Sequence, residues 1–208
     1  MKIVVVTDKA TESEILEKPA SDKLTLVDSI QEAIAFVNPD AVIILTNDYS
    51  IADLQNFTSQ TVLIHCVAHT LAELNLPPNF LRINGWATFI RRDNWELAGE
   101  VDRARILFDY LGWKYTPVAD TPGLIAGRVV AMVINEAFYA LGEGVSTEGE
   151  INTAMKLGTN YPYGPFEWAE KIGIANILHL LNKLSLNNKL YDPAPLMQSV
   201  LTKQYDRS

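Results

Sequence analysis

Residues 120–173 read DTPGLIAGRVVAMVINEAFYALGEGVSTEGEINTAMKLGTNYPYGPFEWAEKIG. Pro122 and Gly123 both interrupt regular structure, so the run opens on a junction. Beyond it every pattern is helical. Val129–Leu141 (VVAMVINEAFYAL) carries apolar residues at helical spacing around nearly its whole circumference, and Gly142 and Gly144 stop it. Thr147 followed three residues later by Glu150 predicts a capping box, opening a helix that Gly158 closes. The run TNYPYGP (159–165) reads as a turn, and Phe166–Ile172 and Ile174–Leu184 as two further helices.

Upstream of Asp120 the grammar differs. Lys2–Val6, Leu24–Val27, Ala41–Leu45, Thr61–Ile64 and Leu81–Phe89 are short, apolar and rich in β-branched residues, which suits strands buried on both faces. Between them lie helical segments at Glu12–Glu17, Ser29–Phe36 and Ile51–Phe57, with a longer one predicted over Trp95–Leu111. Ser29 with Glu32 fits a capping box. This alternation predicts an α/β chain: a shortened, Rossmann-like parallel sheet over residues 1–120, then an all-helical domain over 121–208.

The chain of 208 residues has a net charge of −8, and its longest basic cluster is Arg91-Arg92. A duplex-binding surface needs a cationic stripe, so nucleic acid is excluded as a partner. An anionic small ligand is not, because backbone N–H groups and one or two cations can hold a phosphate. No apolar run reaches the roughly 18 residues that would span a bilayer. The single cysteine, Cys66, rules out an internal disulfide, and the start reads as a strand rather than a signal peptide. The expected location is cytoplasmic.

Asp120–Gly123, Arg128, Asn135–Ala137, Glu143–Val145 and Tyr161–Phe166 together resemble, in order and spacing, the C-terminal signature of the 3-hydroxyacyl-CoA dehydrogenase family. The resemblance weakens toward the N-terminus, where the first half is shorter than the family's; this implies trimmed helices and a lost strand pair. It also implies an acyl-CoA ligand and a homodimer joined through the C-terminal helices. The all-round apolar helix at 129–141 fits that dimer, since such a helix must be covered on every side.

A dinucleotide fingerprint places G-x-G-x-x-G after the first strand, for a tight turn, backbone approach to the pyrophosphate and close packing. Here TDKATESEIL follows KIVVV, and the first glycine anywhere is Gly85. Side chains would fill the phosphate space, and Asp8, Glu12 and Glu14 would repel its charge. Asp28, about 20 residues beyond the first strand, has two readings: a carboxylate for a ribose diol, or a cap for the helix beginning near Ser29. No cofactor is expected; NAD enters only if an active enzyme has rebuilt its site.

The resemblance implies a general acid/base His, a Glu that orients it, and an Asn from the junction helix. At the best match to the His strand, Gly85–Phe89 (GWATF), the His position holds Ala87, and the Asn position holds Gly127. Alanine cannot carry a proton. Glu96 matches the orienting Glu. His69, in IHCVAHTLAEL (64–74), is either a replacement base at a strand's C-terminal end or a loop residue. His65, Cys66 and His69 lack a fourth metal ligand, so no metal is expected. Cys66 and His65 are adjacent on a strand and point to opposite faces, which leaves Cys66 a buried thiol. These residues predict a family member whose dehydrogenation is lost or much reduced; the alternative is an active NAD(P)-dependent 3-hydroxyacyl-CoA dehydrogenase working with other residues.

Overall fold

The computed structural model describes residues 1–205 and divides the chain into two compact units, Met1–Ile125 and a second beginning at Ala126. The first unit is a sheet of seven strands: β1 (Ile3–Val6), β2 (Leu24–Val27), β3 (Ala41–Ile44), β4 (Thr61–His65), β5 (Phe80–Ile83), β6 (Asn94–Gly99) and β7 (Lys114–Pro117). Their order is β2-β1-β3-β4-β5-β6-β7. The first five run parallel; β6 turns antiparallel to β5, and β7 is parallel to β6.

Strand period sorts the core into two layers. Ile3, Val5, Ala41, Ile43, Leu63, Leu81 and Ile83 face one side. There they pack against Ile15 of α1 (Lys9–Leu16) and Leu107, Phe108 and Leu111 of α4 (Arg105–Leu111). Val4, Val6, Val42, Ile44, Val62, Ile64 and Phe80 face the other. Their partners include Ile30 and Ala33 of α2 (Ile30–Ala35) and Leu54 of α3 (Ile51–Leu54). Helices therefore cover both faces of a mostly parallel sheet, the doubly wound arrangement.

Shortening falls on the helices. The crossovers α2 and α3 have 6 and 4 residues, against roughly 10–14 for an average helix, while seven strands are present. Ser29 caps α2 through the Glu32 N–H, so the cap is Ser29 and not Asp28.

Two expected elements differ. The helix predicted at Trp95–Leu111 is instead strand β6, a short 3-10 turn at Val101–Ala104, and α4. In NWELAG, Trp95 and Leu97 alternate inward with period 2, and that signal outranks the helical one. Trp95 stacks on Trp113 with ring centroids 5.6 Å apart, and Lys18 Nζ lies 5.0 Å from the Trp95 ring. The strand predicted at Leu81–Phe89 ends at Ile83; residues 86–90 form a bend and turn in which Thr88 has φ +77°.

The second unit is helical: α5 (Ala126–Gly142), α6 (Glu148–Thr159), α7 (Pro165–Ile172), α8 (Ile174–Ser185) and α9 (Pro195–Tyr205). The Thr147–Glu150 capping box forms. Helix α6 runs one residue past Gly158 and ends on Asn160, whose φ of 56° supplies the left-handed cap. No helix among the described residues is long and apolar enough to cross a membrane.

Candidate functional site

Because β1 to β5 are parallel, their C-terminal ends share one edge, and the order β2-β1-β3 places the topological switch between β1 and β3. In open α/β sheets that edge is where ligands bind. At the end of β1, Asp8 caps α1. Its Oδ1 accepts from the Ala10 N–H, the Thr11 N–H and the Thr11 hydroxyl, each at 2.9 Å. The Thr11 Oγ1 in turn accepts the Asp8 N–H at 3.2 Å, closing the capping box, and lies 2.7 Å from the Thr7 hydroxyl. Thr7 and Thr11 are both buried.

At the ends of β4 and β5, His65 Nδ1 accepts the Gly85 N–H at 2.9 Å. Burial drives the imidazole pKa down to about 4, with the Ile83 carbonyl and Asp8 drawing it back up, so the ring is neutral at pH 7. A side chain at Gly85 would meet the His65 Cβ at 2.9 Å, which is why the first glycine of the chain stands there. Arg82 is wholly buried. It donates to the Cys66 carbonyl at 2.8 Å, the Val67 carbonyl at 3.1 Å and the Thr121 carbonyl at 3.3 Å, and it pairs with Asp120. Asp120 also accepts the Leu71 N–H at 2.9 Å. The Asp of the DTPG motif therefore fastens the loop after β4.

Ala87 sits in the turn after β5. Beside it the structure places a residue that the sequence offered only as a repeller of phosphate. Glu14, on the inward face of α1, is buried and accepts the Thr88 N–H at 2.6 Å, with Arg91 Nη2 at 3.5 Å. The other expected repeller in the helix, Glu12, is exposed, which leaves Asp8 alone at the turn. The inward face of α1 holds Thr11, Glu14 and Ile15, with one aliphatic residue among them. Hydrophobic periodicity could not have found it.

Glu96 lies on β6, and its Oε2 accepts the Ile125 N–H at 3.1 Å. His69 lies in the loop after β4, partly exposed, with Nδ1 3.8 Å from Glu73 Oε2. The Cys66 thiol donates to the His69 carbonyl at 3.4 Å, and burial raises its pKa. Asp28 is exposed at the end of β2. Gly127 is buried in the first turn of α5. Among the described residues, no three of the His, Cys, Asp and Glu side chains converge as metal ligands.

In the second unit the signature residues hold the helices together. Asn135 donates to the Asp192 carbonyl at 3.0 Å and accepts the Ala194 N–H at 2.8 Å. Arg128 donates to the Tyr191 hydroxyl at 2.7 and 3.0 Å. Gly164 lies so close to Asn152 that an added Cβ would meet its Oδ1 at 2.3 Å and its Cα at 2.6 Å. The same Oδ1 accepts the Phe166 N–H at 3.0 Å.

The first unit has the topology of a Rossmann-like domain, and the second is an all-helical domain. Residues 123–207 match the family described as 3-hydroxyacyl-CoA dehydrogenase, C-terminal domain. The 3-hydroxyadipyl-CoA dehydrogenase of Escherichia coli (strain K12) is 47% identical over 83 residues, 39% of this chain and 18% of that protein. The probable 3-hydroxybutyryl-CoA dehydrogenase of Bacillus subtilis (strain 168) is 37% identical over 94 residues, 44% of this chain and 33% of that protein. The chain therefore matches a third or less of the length of these relatives. The crystal structure of 3-hydroxybutyryl-CoA dehydrogenase from Escherichia coli K12 superposes with a TM-score of 0.60 at 31% identity, covering 70% of this chain and 32% of that one. That of (S)-3-hydroxybutyryl-CoA dehydrogenase from Ralstonia eutropha covers 99% of this chain and 86% of the other at a TM-score of 0.71; at 21% identity it shows the fold. Residues 123–207, the helical unit, therefore match the C-terminal domain of the 3-hydroxyacyl-CoA dehydrogenase family.

Proposed function

We propose that this chain is a 3-hydroxyacyl-CoA dehydrogenase-like protein that has given up dehydrogenation and keeps the fold for binding an acyl-CoA or a protein partner. One observation carries the reading. The turn holding Ala87 is closed onto Glu14 through the Thr88 amide, with no imidazole at the position where the family signature calls for its base. A general base must reach the proton it abstracts, and a methyl group cannot. The relatives' names supply the acyl-CoA class. A steady-state assay with acetoacetyl-CoA and NADH tests the reading: no turnover above background is expected, and clear turnover sinks it. Thermal shifts with coenzyme A esters, set against nicotinamide nucleotides, test the binding role.

A homodimer through the helical unit belongs to the same proposal. Met132, Val133 and Ala140 of α5, with Ile151, Met155 and Pro165, line an open apolar groove of about 390 Å³ that a second copy would cover. Light scattering is expected to give twice the 23.2 kDa chain mass; a monomer at micromolar concentration removes the dimer.

The pairing of His69 with Glu73 favours a second reading, an active NAD(P)-dependent 3-hydroxyacyl-CoA dehydrogenase with His69 as its base. It predicts turnover that His69→Gln abolishes.

A further inference from the structure

We infer that Asp8 is a built-in anion: its carboxylate fills the seat at the N-terminus of α1 where a dinucleotide's pyrophosphate would lie, so the chain completes its own first crossover. The inference rests on the reading above only for which cofactor is displaced. The opening turn of a helix presents N–H groups without intrahelical partners, and together with the helix dipole they make an anion site. In a doubly wound sheet the first βα turn at the switch point is where that site receives pyrophosphate, provided glycines let the backbone approach. Here two of those amide donors, Ala10 and Thr11, are already used. A single oxygen, Asp8 Oδ1, gathers two amide N–H groups and one hydroxyl.

The surrounding side chains close the turn further. Counted from the end of β1, the three glycine spacings fall on Thr7, Lys9 and Glu12. Thr7 is buried with its hydroxyl against that of Thr11, so its side chain stands inside the turn. The one cation, Lys9, is exposed. A phosphate entering this turn would meet a carboxylate at its own seat and would have to break three hydrogen bonds to displace it. Like charges in one site exclude each other. The residues present do not fit a nicotinamide dinucleotide held in this way.

The test follows the Ala10 and Thr11 amides by NMR in the full ¹⁵N-labelled chain. Inorganic pyrophosphate and, separately, NADH are titrated to about 5 mM, where even a millimolar site fills. Both amides are expected to stay unmoved in the wild type and to shift saturably with pyrophosphate in Asp8→Ala, where the donors are freed. Saturable wild-type shifts overturn the inference, and so does an Asp8→Ala chain that folds but does not respond. If Asp8→Ala does not fold, the wild-type titration still decides. NADH binding that moves other amides, accompanied by turnover, would sink the proposed function and leave Asp8 in its seat. Wild-type amide shifts without turnover would do the reverse.

Discussion

Glu14 Oε1 accepts the Thr88 N–H at 2.6 Å across 74 residues of chain, and this bond fixes the turn after β5 on helix α1. Thr88 holds φ +77°, a region that a β-branched residue rarely adopts, so the turn needs an external anchor. Glu14→Ala removes the acceptor from a buried N–H and is expected to destabilise the chain by about 2–3 kcal/mol. Glu14→Gln keeps an oxygen in place and should lose about 1 kcal/mol or less, since the companion Arg91 is largely exposed and its ion pair is weak. Urea denaturation of the two variants checks the order.

His65 gives the fold a pH dependence. Its folded pKa of about 4 lies below the unfolded value of 6.5, so the unfolded chain binds the proton first. The stability that neutral His65 supports is complete above pH 6.5 and falls away as pH drops toward 4, by up to about 3 kcal/mol. Denaturation midpoints measured from pH 7.5 to 4, with an NMR titration of the imidazole, check the window. A ring that titrates near 6.5 in the folded protein contradicts the assignment.

Gly85→Ala is predicted to strain the same place, because its Cβ would come within 2.9 Å of the His65 Cβ and 3.0 Å of its Cγ. Overpacking of this kind costs about 1–3 kcal/mol. Gly164→Ala should cost at least as much, since its Cβ would overlap Asn152 at 2.3 to 2.6 Å, backbone included. Thermal melts of the two variants rank them, with Gly164→Ala expected to be the lower.

Asn135 uses both ends of its amide on the segment between α8 and α9. Asn135→Ala is expected to lose about 2–3 kcal/mol, because it leaves the buried Ala194 N–H without its acceptor. Asn135→Asp keeps that acceptor but sets a carboxylate against the Asp192 carbonyl and should also destabilise. Hydrogen exchange at the Ala194 amide separates them: fast in the alanine variant, slower in the aspartate one.

Restoring the missing letters should not restore chemistry. Ala87→His with Gly127→Asn returns an imidazole and an amide to the matched positions, and a base is worth about 10² to 10⁴ in rate. It acts only on a substrate already beside its hydride partner, and proximity is the larger contribution, about 7–11 kcal/mol. With Asp8 in the turn after β1, NADH oxidation by the double variant is expected to stay at background. A robust rate would show that the first unit binds nucleotide after all.

The amino-acid order alone laid out a sheet unit followed by a helical one, and it matched the helical one to a family's C-terminal domain. Short, continuous apolar runs rich in β-branched residues suit strands of a sheet covered on both sides, and the signature from Asp120 to Phe166 is dense enough to identify its domain. Local caps were legible too, because Ser29 and Thr147 act on residues three positions away. Tertiary structure decided the rest. The place of NWELAG in the sheet, between β5 and β7 and with Trp95 stacked on Trp113 18 positions on, is a tertiary fact. The bonds of Glu14 to Thr88, His65 to Gly85 and Arg82 to Asp120 join residues 74, 20 and 38 apart. A pattern read along the chain reports which residues are apolar and how often they recur. Which buried polar groups meet depends on strand order, and only the folded sheet sets that order.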